Sequence, residues 1–315
     1  MQIAAVLLNW RQAQLTEDCL RDLVAAGPPG LGVLVIDNGS GDDSPERLGA
    51  AVEAARKDGL VVELAVLEDN LGFAGGMNHG IDWAAEHGAE FVLVLNNDLR
   101  LPEGFLTPMV QALQNDPGAV AIAPTVLRPD GRVWAQGGHL GFHANALRLN
   151  GAGELPAPVE HGPEAVDFVP AACVLMRTAD LKAVGGFDER YFMYWEDADL
   201  CRRLRERGGE ILWLPWVRVT HLGGASAGGH RSPLRKFLMA KNSVRYLQTH
   251  GSLRQWLAFW LLDFLLLPLL SLRSPRLAWA KFCGIVDGLR GRAATAADVA
   301  NWHQSGQAAA KGGAG

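Results

Sequence analysis

The sequence predicts an α/β fold with a mostly parallel sheet, followed by a helical extension of different character. Alternation carries the first part of that reading. The apolar runs IAAVLL (3–8), GVLVI (32–36), VVELAVL (61–67) and FVLVL (91–95) are separated by helix-like stretches around 15–25, 45–57, 75–88 and 103–115. Each run fits a strand buried on both faces, and strands alternating with helices imply βαβ units. A change of composition carries the second part. From Arg231 to Arg292 eleven Lys or Arg face two acids, a local charge of +9 in a chain whose net charge is −5.

The elements follow in order. MQIAAVLLNW has no basic region before its apolar run, so it reads as a buried strand that begins at once, not as a signal peptide. No Gly-x-Gly-x-x-Gly follows that strand, and no Gly-x-x-x-x-Gly-Lys-Ser/Thr occurs anywhere, which disfavours a dinucleotide-binding domain and a P-loop NTPase. Ligands of parallel sheets bind at the carboxyl ends of the strands. The residues found there are polar: NWRQ (9–12), DNGS (37–40), EDNLGFAGGMNHG (68–80) and NND (96–98). The stretch 130–165, rich in Gly, His and Pro, reads as loops with short strands. DFVPAACVLMRT (167–178) reads as another buried strand, and ILWLPWVRVTH (211–221) as one or two more. Between them GGFDERYFMYWEDADL (185–200) sets an aromatic patch before Glu196, Asp197 and Asp199. EDADLCRRLRERG reads as a helix, with acids in its first turn where the macrodipole favours them and arginines further along. Hydrophobic residues make up 49% and charged residues 20%, a composition that excludes global disorder. The four cysteines form no Cys-x-x-Cys pair, so neither a zinc site nor a disulfide framework is expected, and reduced, cytosolic thiols are the simplest reading.

Three regions result: an α/β domain over 1–230, a basic and apolar helical region over 231–292, and a tail over 293–315, rich in Ala and Gly, that reads as disordered. Within the second, 232–251 reads as a basic helix. WLAFWLLDFLLLPLLSL (256–272) is almost wholly apolar, spans only about 17 residues and is interrupted by Asp263 and Pro268. It therefore reads as an interfacial or re-entrant helix; a hydrophobic hairpin, a buried helix and a homo-oligomer interface are the alternatives. The flanking Arg245, Arg254, Arg273 and Arg276 favour a membrane surface. Nucleic acid would also suit the positive charge. It does not explain carboxylates at successive strand ends, so no nucleic-acid partner is expected.

Six motifs stand in order: LLNW (7–10), VIDNGS (35–40), NLGFAGGMNHG (70–80), LNNDL (95–99), GGFDERYFMYWEDADLCRRL (185–204) and HLGGAS (221–226). Together, from Ile3 to about Arg245, they resemble the family-2 glycosyltransferases of the GT-A fold, in their rhamnosyltransferase-like branch. The resemblance implies an inverting transfer that depends on Mn²⁺ or Mg²⁺ and uses a nucleotide-sugar donor. The leading donor is dTDP-L-rhamnose, with a UDP-hexose or UDP-N-acetylhexosamine as the alternative. A lipid-linked saccharide or growing surface polysaccharide would be the acceptor, and the enzyme would be cytoplasmic, peripheral at the inner face of the cytoplasmic membrane. A non-catalytic membrane- or nucleic-acid-binding protein and a nucleotidyltransferase are the rivals from other classes.

Site residues follow from the same motifs. Asp37 would accept hydrogen bonds from the base or ribose, with an Asx-turn or helix cap as its structural alternative. Asn9, Asn38, Asn70, Gly72, Gly75, Asn78, Asn96 and Asn97 would lie on the nucleotide side. The glycines would let the backbone approach the ligand and present a helix N-terminus to phosphate. Asp98 would hold the cation through a hard oxygen, and His221 would complete the metal's ligands. The family's usual Asp-x-Asp is here Asn96-Asn97-Asp98, one charge fewer. Asp197 would be the general base that takes the acceptor hydroxyl's proton, and Glu196 would position it or contact the acceptor. The aromatic patch would stack on sugar and exclude water. Asp199 would cap or solvate its helix.

Overall fold

The computed structural model describes residues 1–57, 59–141, 147–156, 162–223 and 232–302. Residues 224–226 of the last motif, and the tail beyond 302, lie outside them. The strands are β1 (Ile3–Asn9), β2 (Leu31–Asn38), β3 (Val61–Leu67), β4 (Phe91–Asn96), β5 (Leu99–Arg100), β6 (Ala119–Leu127), β7 (Val133–Ala135), β8 (Gly138–Leu140), β9 (Leu147–Leu149), β10 (Glu164–Ala165), β11 (Cys173–Arg177) and β12 (Glu210–His221). The helices are α1 (Ala13–Ala26), α2 (Ser44–Lys57), α3 (Gly72–Glu86), α4 (Leu106–Asn115), α5 (Thr178–Ala183), α6 (Glu196–Glu206), α7 (Pro233–His250), α8 (Leu253–Ala258), α9 (Leu267–Arg273) and α10 (Pro275–Leu289). A 3-10 turn covers Glu189–Tyr191, and a π-helical segment, Phe259–Phe264, links α8 to α9.

The chain divides into two compact units. The first comprises Met1–His139, Arg148–Asp188 and Asp197–Gly223. Its sheet runs β10-β12-β6-β11-β4-β1-β2-β3, with β5 paired to β12 and β7 to β6. β4, β1, β2 and β3 are mutually parallel, as the alternation predicts. β11 lies antiparallel between β4 and β6, and the short β5, β7 and β10 also pair antiparallel. β11 is also shorter than the predicted 167–178, because Phe168 only bridges Gly138 and the sheet resumes at Cys173. The stretch 211–221 is one strand, irregular between Leu214 and Arg218. β3 departs from the expected burial. It ends the sheet order, so one edge and much of its face meet solvent, and Val61 and Val66 are exposed. Cys19, Cys173 and Cys201 are free and buried, and Cys283 is free and half-buried.

The tight seat of α3 on β1 has a visible cause. A methyl group built on Gly76 would lie 2.5 Å from Leu8 Cδ1, and one on Gly80 would lie 2.2 Å from Val6 Cγ1. Glycine here serves helix–strand approach in addition to any role toward a ligand. Gly80→Ala is expected to overpack this contact and cost about 1–3 kcal/mol, read by chemical denaturation against wild type.

The second unit comprises Leu140–Leu147, Glu189–Glu196 and the described part of Gly224–Gly315. Its basic charge is more internally balanced than the sequence predicts. Lys241 is buried, with Asp298 at 3.0 Å and Asp287 at 3.7 Å; Lys281 lies 2.6 Å from Asp263. Arg245 is buried and donates to the carbonyls of Gly291 and Arg292. Order also extends further than expected: residues 296–302 are helical and supply Asp298 to Lys241. Leu253–Arg273 runs as one helix of 21 residues through the π segment, apolar and long enough to cross a membrane by length and composition.

Candidate active site

The polar residues after the strands of the first unit gather into three clusters. The first joins β1, β2 and α1. Asn9 Nδ2 donates to Asp37 Oδ1 (2.7 Å) and to Ser40 Oγ (3.2 Å), and the Ser40 hydroxyl donates to Asp37 Oδ1 (2.5 Å). Asp37 Oδ2 also accepts the Ser40 N–H at 3.1 Å. From Asn9 Oδ1 the chain of bonds continues to the Thr16 hydroxyl (2.8 Å) and on to Asn97 Nδ2 (3.0 Å). Asn9, Thr16, Asp37, Ser40 and Asn97 are all buried. A buried polar network of this kind holds its members in one arrangement, because each broken bond leaves a desolvated group. Thr16 and Ser40 carry this network and were not among the residues singled out from sequence; only the DNGS motif pointed at Ser40.

A second cluster organises the loop before α3. Asn38 donates to Asn70 Oδ1 (3.2 Å) and to the Gly72 carbonyl (2.9 Å), and accepts from the Leu71 N–H (3.0 Å). Asn70 accepts from the Gly72 N–H at 2.8 Å, an Asx turn that opens the helix. Gly72 itself has φ +73°. Gly75 lies buried in the first turn. Asn78, one turn on, reaches Phe187 instead of the strand ends. It donates to the Phe187 carbonyl and accepts from the Phe187 N–H, both at 2.8 Å. Gly186 sits against that amide with φ +68°, and a methyl group there would lie 2.4 Å from Asn78 Oδ1, so both conformation and space demand glycine.

The third cluster lies past β4. The ladder between β5 and β12 pairs His221 with Leu99, and the Leu222 N–H donates to the Asp98 carbonyl at 2.8 Å. This register sets His221 Nε2 2.9 Å from Asp98 Oδ1, and both side chains are close to nine-tenths buried. Asn96 Nδ2 lies 3.4 Å from the same imidazole nitrogen, and Trp134 packs on the ring at 4.6 Å between centroids. Asp98 and His221 thus bring one carboxylate oxygen and one imidazole nitrogen to within 2.9 Å of each other. That donor set fits Mn²⁺ or Mg²⁺ whose remaining positions a diphosphate would fill. Among the described residues no group of three or more His, Cys, Asp or Glu gathers for a metal.

Asp197 joins this third cluster through the backbone. It stands in the first turn of α6 and is partly exposed. Burial of its carboxyl pushes it up to about 6, against backbone hydrogen bonds from Ala198 and Ala171 that pull it down. The Ala198 bond is 2.8 Å. The neighbour of Ala171, Ala172, accepts the Asn96 N–H at 2.9 Å. A carboxylate with its proton affinity raised toward neutrality is therefore coupled, through two alanines, to the strand end that carries Asn96, Asn97 and Asp98. Glu196 opens the same helix and is buried.

Asp199 has a role other than capping. It is buried and lies 2.8 Å from Arg203 Nε, whose guanidinium also donates to the carbonyls of Val184 (2.7 Å) and Gly186 (2.8 Å). The pair thus ties α6 to the turn before it. The aromatic patch also differs from expectation. Tyr191, Phe192 and Trp195 are buried, which leaves Tyr194 as the partly open ring.

The model of the family described as glycosyl transferase family 2 matches residues 6–180. The chain belongs to glycosyl transferase family 2. It is similar to an N-acetylglucosaminyl-diphospho-decaprenol L-rhamnosyltransferase of Mycobacterium tuberculosis, 31% identical over 248 residues that make up 72% of this chain and 78% of that one. Among solved structures it resembles a mannosyltransferase of Pyrobaculum calidifontis in complex with GDP-Man and Mn²⁺. The TM-score is 0.56 at 16% identity, covering 91% of this chain and 87% of that one. It also resembles GalNAc-T7 solved with UDP, GalNAc and Mn²⁺, with a TM-score of 0.60 at 14% identity; the match covers 79% of this chain and about half (48%) of that one. These likenesses show the GT-A fold. This family-2 glycosyltransferase accordingly carries its three clusters where the GT-A sheet presents ligands, at the carboxyl ends of β1, β2 and β4.

Proposed function

We propose that this glycosyltransferase moves a sugar, with inversion, from a nucleoside-diphosphate donor to a lipid-linked or polysaccharide acceptor at the inner face of the cytoplasmic membrane. dTDP-L-rhamnose is the leading donor and a UDP-sugar the alternative. One observation carries the reading: the Asp197 carboxylate is tied through Ala171 and Ala172 to the strand end that bears the Asp98–His221 pair. The acceptor oxygen forms a bond to the anomeric carbon as the bond from that carbon to the diphosphate breaks. The hydroxyl proton passes to the Asp197 carboxylate, and the electron pair of the broken bond leaves on the diphosphate. A divalent cation, when bound, neutralises the departing charge. Asp98 and His221 would hold that cation, and the network around Asp37 would fix the donor's nucleoside. Rhamnose rests on the relative from Mycobacterium tuberculosis named above, as does a polyprenyl-linked acceptor.

The membrane reading is supported by one stripe. Leu253, Leu257, Leu261, Leu265 and Leu269 recur every four residues, and each is more than half exposed. An α-helix turns every 3.6 residues, so a four-residue spacing drifts around it. The wider turn of the π segment, Phe259–Phe264, works against that drift. The double variant Leu261→Glu, Leu265→Glu should lose binding to vesicles containing phosphatidylglycerol in a flotation assay and keep its melting temperature. Unchanged flotation would remove the membrane from the proposal.

The donor reading is tested by thermal shift with dTDP, UDP, GDP and CMP, each with and without Mn²⁺. A ligand that binds the folded state alone stabilises it by about 2.7 kcal/mol at a hundred times its Kd. Metal-dependent stabilisation by dTDP supports the rhamnosyl donor, and by UDP the alternative. A folded protein that responds to none of the four overturns the donor assignment.

A further inference from the structure

The segment leading into α6 is held in an unfavourable conformation. Phe192, Tyr194 and Trp195 have φ of 64°, 73° and 76°, in the left-handed region that side chains with a Cβ rarely adopt. Such conformations persist only where surrounding contacts over-determine them. Here the contacts converge on one buried side chain of α7. Asn242 Nδ2 donates to the carbonyls of Tyr191 (2.8 Å), Met193 (2.9 Å) and Tyr194 (2.9 Å). The amide has two hydrogens for three acceptors, so one is shared. Three carbonyl oxygens around one atom also fix which end of the amide is nitrogen, because the oxygen would be repelled there. Other residues of α7 touch the same segment: Tyr246 packs on Trp195 at 5.1 Å, and Arg235 lies over Tyr194 at 5.7 Å.

We propose that Asn242 is a positioning residue for glycosyl transfer, holding the strained segment 191–195 so that α6 starts where Asp197 can meet the acceptor hydroxyl. This rests on the reading of Asp197 as the general base. Among the described residues, the Asn242 side chain hydrogen-bonds to the 191–194 segment and to no strand end. Its loss should therefore fall on turnover and leave donor binding alone. The isosteric Asn242→Asp is the sharpest change, since it sets carboxylate oxygens against three carbonyls. Asn242→Ala removes the donors without adding charge.

The test measures transfer kinetics, the Mn²⁺-dependent thermal shift with nucleotide, and amide hydrogen exchange on the full chain. Both variants are expected to lower kcat about a hundredfold per folded molecule, the scale of a misplacement of about 1 Å, with donor KM and nucleotide shift unchanged. Amides of 191–196 should exchange faster in Asn242→Ala while those of β1, β2 and β4 stay as in wild type. Wild-type kcat in either folded variant overturns the proposal, as does a loss that falls equally on donor KM. Should neither variant fold, exchange in the wild type decides: protection at 191–196 equal to that of α7 supports the clamp, and unprotected exchange overturns it. Asp197→Asn is assayed in parallel. If it keeps turnover, the reading of the base fails; if it abolishes transfer while Asn242→Asp keeps the wild-type kcat, only the positioning role fails.

Discussion

Asp197→Asn is expected to abolish transfer while leaving nucleotide binding intact. Removing a general base costs typically 10²–10⁴-fold, and the effect should appear in kcat with little change in donor KM. Asparagine keeps an oxygen to accept from Ala198 and Ala171, so the start of α6 is preserved. The pH dependence has a definite sign. As general base Asp197 would act as carboxylate, and burial raises its pKa from 3.8 to about 6. In wild type kcat/KM should therefore fall below about pH 6 and level off above it. Stability runs the other way. Between about pH 4 and 6 the folded chain keeps a proton that the unfolded chain has released, so the group's contribution falls as pH rises through that window. At pH 8 the wild type carries a poorly solvated charge that the variant lacks. Asp197→Asn should thus be about 1 kcal/mol more stable there, much less than the full shift implies, because Asp197 keeps some contact with solvent. Retained turnover would exclude Asp197 as the base and move the role to Glu196, testable with Glu196→Gln.

Much of the sheet could be read from periodicity, because strands buried on both faces and amphipathic helices leave regular patterns. The four parallel strands and the four helices among them fall close to their predicted positions. The departures come from pairing, which periodicity does not encode. β3 has the composition of a central strand and lies at an edge, and β11 looks like any buried strand and runs antiparallel. The site divides in the same way. Motifs mark Asp98 and His221, but their contact depends on β5, a strand of two residues with no pattern of its own. Asp199 and Arg203 stand four apart on a helix and were open to an ion-pair reading, yet the carbonyls that Arg203 also serves lie 17 and 19 residues away. Asn242 bonds to residues 48 to 51 positions earlier, and nothing local sets it apart from other asparagines in a basic helix.

Asp98→Ala should remove the metal-dependent part of nucleotide binding and lower transfer by at least about a hundredfold. Neutralising a developing phosphate charge is worth several kcal/mol, and each 1.36 kcal/mol of barrier is tenfold in rate. His221→Ala should act on the same quantity more weakly, raising the Mn²⁺ concentration needed for half-maximal rate, because it removes a neutral ligand and leaves the carboxylate. With the amide of Asn96 in place of the first acid, the strand end offers one carboxylate, Asp98, beside His221 at 2.9 Å. Two such protein ligands with a single negative charge would hold a divalent ion weakly, and a diphosphate would then have to supply both charge and oxygen atoms. Mn²⁺ alone should then shift the melting temperature little, nucleotide alone little, and both together strongly. Asn96→Asp adds the missing charge next to the same imidazole, which Asn96 Nδ2 approaches to 3.4 Å. That variant should bind Mn²⁺ without nucleotide and lose most of the synergy. Transfer that proceeds at full rate in EDTA, in both wild type and Asp98→Ala, would overturn the metal-dependent reading and shift the neutralising role to a cationic side chain.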